Sequence, residues 1–482
     1  MILLTLLGIS LCSALLLAFL GDWRRAPEVN ILASAAAFVA SLALALQVYQ
    51  SGPFIAGHKF FFVDAFSVYL TVLTAFVSVT TAIFSRRYMR VERAHGRVGP
   101  WRMRFYHAMY QLFIFAMLLA LLTNNVGVLW ISMELATLAT VLLVSLYRTP
   151  NAIEAAWKYF ILCGVGIAQA LFGTVLLYFA AERVLGIGGE ALLWTNLSRV
   201  SGQLEPTVLR LAFVFLMVGY GTKVGLVPLH NWLPDAHSEG PTPISAVLSG
   251  LLLNVALYAL VRCKVLVDGS TGTHMAGNML IGFGLLSLIV ASFSLLRQKD
   301  IKRMFSYSSI ENMGIATFAF GIGSPLATYG ALMHMLVHSL TKSSIFFTVG
   351  HASQMHGTQE MERIRGLFKG NPIVGWAFVL GAMALVGMPP FGMFASEFLI
   401  LTATIKEQPL LTPLLLLGLA VSFAAIFRKV QPMVTGLVPP WQTPLKAAHV
   451  PVLLHMGLVL MLGLYLPRFL SDWFHTAVGL LR

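Results

Sequence analysis

The most constraining feature of this sequence is a succession of apolar runs, each about 17 to 25 residues long, separated by short polar connections. A run of this length can cross the hydrocarbon core of a bilayer as a helix, because a helix satisfies its own backbone hydrogen bonds. Only 11% of the residues are charged and the mean hydropathy is +0.81, which excludes a water-soluble globular domain. The sequence therefore predicts an all-α polytopic membrane protein with about fourteen transmembrane helices, near residues 1–20, 29–49, 63–84, 105–123, 126–146, 157–180, 207–232, 240–262, 277–296, 301–322, 325–349, 372–406, 410–430 and 448–470.

The basic residues predict how the chain is oriented. By the positive-inside rule, the connection between the third and fourth runs is cytoplasmic, since it contains Arg86, Arg87, Arg90, Arg93, Arg97, Arg102 and Arg104. Alternation from this loop places the other basic clusters on the same side and both termini on the periplasmic side of a cell inner membrane. Loop orientation thus accounts for the net charge of +13 better than a nucleic acid partner does.

The cysteines and the chain start bear on cofactors and processing. Cys12, Cys163 and Cys263 lie in or at the edge of apolar runs without paired metal-ligand spacing, which argues against an iron–sulfur cluster, a zinc site or a disulfide framework. There is no Walker loop or nucleophile elbow at a credible position. We therefore expect no cofactor, no metal and no catalytic centre in this chain. Residues 1–20 have no basic segment before the apolar run, and we interpret them as a retained first helix.

The seventh run contains an unusual stretch at 222–243, reading T-K-V-G-L-V-P-L-H-N-W-L-P-D-A-H-S-E-G-P-T-P. Gly225 and Pro228 should break the helix just beyond Lys223, leaving main-chain groups that must be satisfied by protein or water. A charge at a helix break inside a membrane indicates a functional site. The alternative is that Lys223 lies near a helix end and extends to the lipid headgroups.

The twelfth run is interrupted in a similar way, at L-V-G-M-P-P-F-G-M-F-A-S-E-F-L, residues 385–399. Its breaking residues are Gly387, Pro389, Pro390 and Gly392, and Glu397 follows in the resumed apolar run. The two breaks lie five segments apart, which favours two five-helix repeats that are inverted relative to each other. This divides the chain into an N-terminal three-helix segment with a basic loop (1–104), a first repeat (105–262), a second repeat (277–430) and a C-terminal helix (431–482).

Several ionisable residues fall inside the apolar runs. An unpaired charge at bilayer depth costs at least roughly 2.5 kcal/mol, so a chain with several must pair or hydrate them. An approaching Glu134 carboxylate would keep Lys223 protonated, and its withdrawal would let Lys223 release the proton. The alternative for Glu134 is a static structural ion pair. The candidates for a proton path are Glu134, Lys158, Lys223, His230, His334, His338, Lys342 and Glu397.

His334, His338 and Lys342 occur at i, i+4 and i+8, so they share one helix face. Three proton-binding groups in a row suggest a relay, which Glu397 could end. A zinc site is the competing interpretation, although no carboxylate ligand lies nearby in sequence. Glu397 could instead be an interfacial carboxylate that anchors the helix break.

Four stretches together resemble the antiporter-like proton-translocating membrane subunits shared by respiratory complex I, multisubunit cation/proton antiporters and membrane-bound hydrogenases. They are the stretch at 222–243, D-I-K-R-M-F-S-Y-S-S-I-E-N-M-G, H-M-L-V-H-S-L-T-K and P-P-F-G-M-F-A-S-E-F-L. E-A-A-W-K-Y-F-I-L-C-G-V-G-I-A at 154–168 is most similar to the F subunit of hydrogenase-4 and formate hydrogenlyase complexes.

The resemblance implies fourteen helices in two inverted repeats, with half-channels joined by a hydrated polar axis. It implies that Glu134, Lys223 and Glu397 are the fifth-helix glutamate, the seventh-helix lysine and the charged end of the channel on the twelfth helix. One position departs from the family. Asn254 stands where many members have a lysine or histidine, and asparagine can hold water but cannot store a proton.

We therefore expect a proton-translocating subunit of a redox-driven complex, most similar to a nickel–iron hydrogenase or formate hydrogenlyase. Its partners would be other membrane-arm subunits and a soluble hydrogenase or quinone-reductase-like arm with iron–sulfur subunits. One alternative is a subunit of a multisubunit sodium/proton antiporter without a redox arm. The other is a non-conducting membrane scaffold, which Asn254 would favour.

Overall fold

The computed structural model describes residues 1–271, 274–443 and 448–481. Within these ranges almost all of the chain is helical, and one short antiparallel hairpin, β1 (Phe54–Ala56) and β2 (Phe61–Val63), connects the second and third helices. The α-helices are α1 (Ile2–Leu20), α2 (Ala26–Ser51), α3 (Ala65–Ala94), α4 (Pro100–Leu122), α5 (Val126–Val144), α6 (Pro150–Leu185), α7 (Trp194–Val200), α8 (Pro206–Val224), α9 (Trp232–Glu239), α10 (Thr242–Val247), α11 (Leu253–Thr271), α12 (Met275–Leu295), α13 (Ile301–Ile322), α14 (Pro325–His356), α15 (Leu367–Gly370), α16 (Pro372–Leu385), α17 (Gly392–Glu407), α18 (Thr412–Val434), α19 (His449–Leu464) and α20 (Arg468–Leu480).

The prediction of an all-α polytopic membrane protein is confirmed. Among the described residues, ten helices are long and apolar enough to cross a membrane, or eleven if the bent pair α19 and α20 counts as one span. Helices α13 and α14 occupy the predicted tenth and eleventh runs but carry many polar side chains, and the twelfth run is divided into α16 and α17. The count of fourteen crossings and the two inverted repeats stay predictions.

Both interrupted runs contain a break in the helix. Helix α8 ends at Val224, and Gly225 follows in the left-handed conformation with a φ of +82°, which glycine adopts without strain. Helices α16 and α17 are separated by a turn in which Gly387 has a φ of +67°. The Glu397 carboxylate lies against Gly387, in the space that a Cβ atom would occupy. The second break thus holds a carboxylate next to exposed main chain.

The connections pair at two opposite ends of the bundle, in agreement with alternating crossings. At one end, Asn124 donates its backbone N–H to Phe60 O at 2.8 Å and accepts from Trp194 N at 2.6 Å, which joins the hairpin to the loops before α5 and α7. At the other end, Lys302 Nζ donates to Ser238 O at 3.2 Å and to Gly240 O at 2.7 Å, which joins α13 to α9. Which end faces the cytoplasm stays a prediction.

Helices α12 and α13 approach closely because glycines face each other along the contact. A Cβ atom at Gly284 would lie 2.6 Å from Gly314 O, and one at Gly314 would lie 2.7 Å from Gly284 O. Gly277 and Gly321 repeat this reciprocal arrangement one level further along the pair. Small residues of this kind let two helix backbones come into van der Waals contact. Such packing stabilises helix pairs in a membrane, where the hydrophobic effect does not drive helices together.

We expect Gly284→Val to destabilise the protein by about 1–3 kcal/mol, because the added methyl groups would separate α12 from α13. The measurement is the thermal unfolding midpoint of the detergent-solubilised protein. Gly282→Val on the same helix is the matched control, since a Cβ at Gly282 has nothing within 4 Å. Equal loss of stability in the two variants would contradict this packing.

Candidate functional site

The first group of ionisable residues, in which Lys223 is buried and Glu134 is half-buried, lies around the end of α8. Lys223 is fully buried, its Nζ donates to Thr137 Oγ1 on α5, and it lies 6.0 Å from the ring centroid of Tyr159. Glu134, one turn before Thr137, has an Oε2 atom that is buried without a hydrogen-bond partner. Lys223 and Glu134 interact electrostatically through space. The lysine therefore has a hydroxyl as its direct partner and a carboxylate as its nearby counter-charge.

The second group is on α14, where the predicted stripe lies inside the bundle. Lys342 Nζ donates to Phe305 O at 2.9 Å and to Ser308 Oγ, both on α13. His334 Nδ1 lies 3.0 Å from Ser396 Oγ on α17, and its ring is 6.4 Å from the ring of His338. Both ring nitrogens of His338 are buried without a hydrogen-bond partner. The three groups are fully buried, so the stripe faces α13 and α17 and not lipid.

Glu311, which the sequence analysis missed, lies between this stripe and Glu397. It is buried on α13 and interacts electrostatically with Lys342. Glu397 in turn interacts electrostatically with Glu311. The row therefore runs from Lys342 through Glu311 to Glu397. The signal in the sequence was a carboxylate in the interior of a predicted apolar run.

Lys302 and His237, which are not among the predicted proton-path residues, are also buried ionisable groups. The Lys302 side chain is 1% exposed, and the backbone carbonyls of the α9–α10 connection surround its Nζ. His237 is fully buried, stacks on Phe346 at 5.0 Å between ring centroids, and interacts electrostatically with both Lys302 and Lys342. These two titratable groups lie between the segment after the first break and the α14 stripe.

Lys158 and His230 lie apart from the buried row. Lys158 is 48% exposed and forms ion pairs with Glu154 at 2.7 Å and Asp235 at 3.3 Å. Asp235 also pairs with Arg303 at 2.5 Å, so Lys158 belongs to an ion-pair network at the end of the bundle. The His230 side chain is buried, with its ring 6.2 Å from that of Tyr307.

The hydrogen-bond partners of Asn254 lie on α14, and neither of them is an ionisable side chain. Its Nδ2 donates to Met335 O at 3.0 Å and to Ser339 Oγ at 2.7 Å, while its Oδ1 is buried without a partner. Just before it, residues 248–252 form a π-helical turn, in which Ser249 Oγ lies 2.7 Å from Ser309 Oγ. This region offers hydroxyl and amide groups that can orient water, in place of a titratable side chain.

Taken together, the buried groups can exchange protons but do not form a metal-binding cluster. No set of three or more His, Cys, Asp or Glu side chains within the described ranges could hold a metal ion. Lysines and carboxylates at low dielectric change protonation when a neighbouring charge changes. A row of such groups suits stepwise proton movement coupled to charge rearrangement.

The comparisons with known proteins agree with this architecture. The family described as "NADH:quinone oxidoreductase/Mrp antiporter, TM" matches residues 123–423, more than half of the chain. The hydrogenase-4 component F homolog of Methylacidiphilum infernorum is 46% identical over 468 residues, which cover 97% of both chains.

Two solved structures share the fold over nearly the whole chain. A chain of the membrane-bound sulfane sulfur reductase, an archaeal respiratory membrane complex, has a TM-score of 0.89 at 25% identity, covering 99% of this chain and 97% of that one. A chain of the Mrp complex from Dietzia sp. has a TM-score of 0.86 at 18% identity, covering 100% and 97%. The predicted resemblance is confirmed: this multi-pass chain belongs to the NADH:quinone oxidoreductase/Mrp antiporter transmembrane family, as an antiporter-like membrane subunit.

Proposed function

We propose that this protein is the proton-translocating subunit of a redox-driven membrane complex of the hydrogenase-4 type, in the cell inner membrane. The observation that carries the proposal is the row of ionisable side chains enclosed by the helix bundle. Three lysines in it, Lys223, Lys302 and Lys342, are at most 1% exposed. Because an unpaired charge at membrane depth costs at least roughly 2.5 kcal/mol, a purely structural role would be better served by apolar residues.

Each group has a role that follows from its partners. Glu134 controls the charge state of Lys223, which stores a proton.

His237 and Lys302 link the first break to the α14 stripe, where His334, His338 and Lys342 relay the proton through rearranging hydrogen bonds. Glu311 is the counter-charge of Lys342, and Glu397 at the second break delivers the proton. Asn254, Ser249 and Ser339 would hold the water that bridges the remaining gap.

The redox chemistry is assigned to partner subunits. The three cysteines of this chain lack the spacing of cluster ligands, so electron transfer would take place in a soluble arm with iron–sulfur subunits. The relative with 46% identity is named as a component of hydrogenase-4, which supports a hydrogenase as the parent complex. A change of charge in that arm would reach this chain through neighbouring membrane subunits.

A secondary sodium/proton antiporter is the second candidate. It is favoured by the family's description, which includes the Mrp antiporter, and by the shared fold with a chain of the Mrp complex. The ion would then be exchanged without electron transfer. Sodium-dependent proton flux in proteoliposomes without any electron donor is the behaviour that separates this candidate from the first.

The experiment that tests the proposal is mass spectrometry of the intact complex after extraction in mild detergent. We expect a nickel-hydrogenase large subunit and iron–sulfur proteins to co-purify with this chain. Recovery of small membrane subunits alone, with proton flux that follows the sodium concentration, would contradict the redox-linked proposal. The control is the same extraction in a harsher detergent that separates the membrane subunits from soluble proteins.

A further inference from the structure

A second polar site, whose lining shares no residue with the proton row, lies at the end of the bundle that carries the arginine-rich loop. It is a cavity of about 420 Å³ between the α1–α2 connection, the last turns of α3 and the first turns of α4. A volume of this size falls within the range of small-ligand sites, roughly 300–1,000 Å³. The lining includes Asp22, Trp23, Arg24, Arg86, Arg90, Arg93 and His107.

The cavity is strongly basic. Glu28 pairs with Arg86 at 2.8 Å and with Arg90 at 3.0 Å, and Asp22 pairs with Arg104 at 2.8 Å. The hydrogen bond from Arg104 lowers the pKa of the Asp22 carboxyl, so this carboxylate stays ionised and neutralises Arg104. Arg24 and Arg93 are exposed and lie on the same cavity. The lining contains four arginines and one carboxylate, and the adjacent Glu28 and Arg104 offset each other, which leaves about three positive charges for an anionic ligand.

His107 provides an independent indication of a ligand. Its side chain is 1% exposed, it lines the cavity, and neither ring nitrogen has a hydrogen-bond partner. A buried polar group without a partner is costly, and native structures seldom leave one unsatisfied. An acceptor oxygen in the cavity would satisfy a ring N–H of His107.

The surroundings of the cavity indicate a lipid as the source of that anion. Trp23 is 53% exposed at its rim, and indole rings concentrate at the membrane–water interface. Phe19 and Leu20, at the end of α1, are exposed apolar side chains that lead from the rim towards the bilayer core. Acyl chains could lie on this surface while a headgroup enters the cavity, which a free phosphate ion would not require.

We propose that this cavity binds the phosphate headgroup of an anionic glycerophospholipid from the leaflet facing the arginine-rich loop. Arg24 and Arg93 bind the phosphate oxygens, His107 donates a hydrogen bond from the floor, and Trp23 marks the level of the headgroup. Basic pockets between transmembrane helices suit such headgroups, because the membrane surface supplies the anion at high local concentration. The inference does not depend on the proposed function.

The test is native mass spectrometry of the protein with its co-purifying subunits in a neutral detergent, titrated with phosphatidylglycerol and with phosphatidylcholine. We expect selective binding of phosphatidylglycerol, weakened about thirtyfold in the double variant Arg24→Gln/Arg93→Gln. The matched control is Arg297→Gln/Arg428→Gln, which removes two exposed arginines from the same end of the bundle. His107→Phe, which keeps a ring of similar size, should weaken binding as well.

Three outcomes would overturn the proposal. Equal phosphatidylglycerol binding by the cavity and control variants would show general surface attraction. Full displacement of the lipid by millimolar inorganic phosphate would assign the cavity to a free anion. Loss of a co-purifying subunit from the cavity variant, with unchanged lipid binding, would identify the basic surface as a docking site for an acidic partner.

Discussion

Asp64→Asn is expected to destabilise this protein by about 3–5 kcal/mol, because it removes the counter-charge of a buried arginine. Arg262 Nη2 donates to both Asp64 carboxylate oxygens, at 2.7 and 2.6 Å, and both side chains are at most 3% exposed. The guanidinium lies 4.6 Å from the ring centroid of Trp194 and 5.0 Å from that of Tyr258. The pair joins the start of α3 to α11, so its loss would loosen the N-terminal helices from the rest of the bundle.

Replacement by asparagine removes the charge of Asp64 but keeps its role as a helix cap. Asp64 Oδ1 accepts from Ser67 N at 2.9 Å, as the N-cap of α3, and asparagine caps helices about as well as aspartate. The measurement is the free energy of unfolding in a mild detergent titrated with a denaturing one. Glu190→Gln is the matched control, since Glu190 is 58% exposed and pairs with Lys59, which is 53% exposed, and such a surface pair is worth at most about 1 kcal/mol.

A double replacement shows whether the loss of stability comes from the unpaired charge of Arg262 or from the loss of the Asp64–Arg262 contact itself. Asp64→Leu/Arg262→Met removes both charges at once, and a buried ion pair replaced by apolar residues is often close to neutral in stability. We expect this variant to be more stable than Asp64→Asn. If Asp64→Asn were instead as stable as the Glu190→Gln control, the cost that we assign to the buried guanidinium would be wrong.

The sequence predicted the membrane-spanning helices well because apolar length alone decides them. Helices α13 and α14 lie at the predicted tenth and eleventh runs, but their crossing of the membrane stays a prediction, because their polar side chains lower their hydropathy although bundle packing buries them. Their tertiary environment is set by neighbours distant in sequence, such as Ser396 against His334. The C-terminal run shows a related limit. It bends by 78° between α19 and α20, near Pro467, and α20 is amphipathic.

The burial of an ionisable side chain could be predicted where it interrupts an apolar run, as at Lys223 and Lys342. The sequence could not show which of these residues meet, because their partners lie on other helices. Lys158 is one example, since it also falls in an apolar run but is 48% exposed and pairs with Asp235. Lys302 is the opposite example. A lysine near the start of a helix, beside its N-cap residue, is expected to be exposed to solvent, but α9 and the α9–α10 connection bury Lys302.

Lys223→Met is expected to lower proton translocation by roughly fiftyfold while the complex still assembles. Methionine keeps most of the volume of the buried lysine, and removing a buried charge in favour of an apolar residue is tolerated in folding. A proton at that position would then have no side chain to bind it. An unpaired charge at membrane depth costs at least roughly 2.5 kcal/mol, which corresponds to the expected fiftyfold loss. The measurement is the number of protons moved per electron pair by the reconstituted complex, with electron transfer and subunit composition recorded in the same preparation.

Lys369→Met is the matched control, because Lys369 is exposed on the short helix α15 before α16. The companion variant is Lys342→Met, which removes the lysine on the far side of the region that contains Asn254. A single continuous path requires both buried lysines, so each variant should lose translocation to a similar extent. If Lys223→Met lost it and Lys342→Met kept it, the two groups would not belong to one path, and the hydroxyl and amide groups around Asn254 would not bridge them. If both kept it with normal assembly, the buried row would be structural and the protein a scaffold.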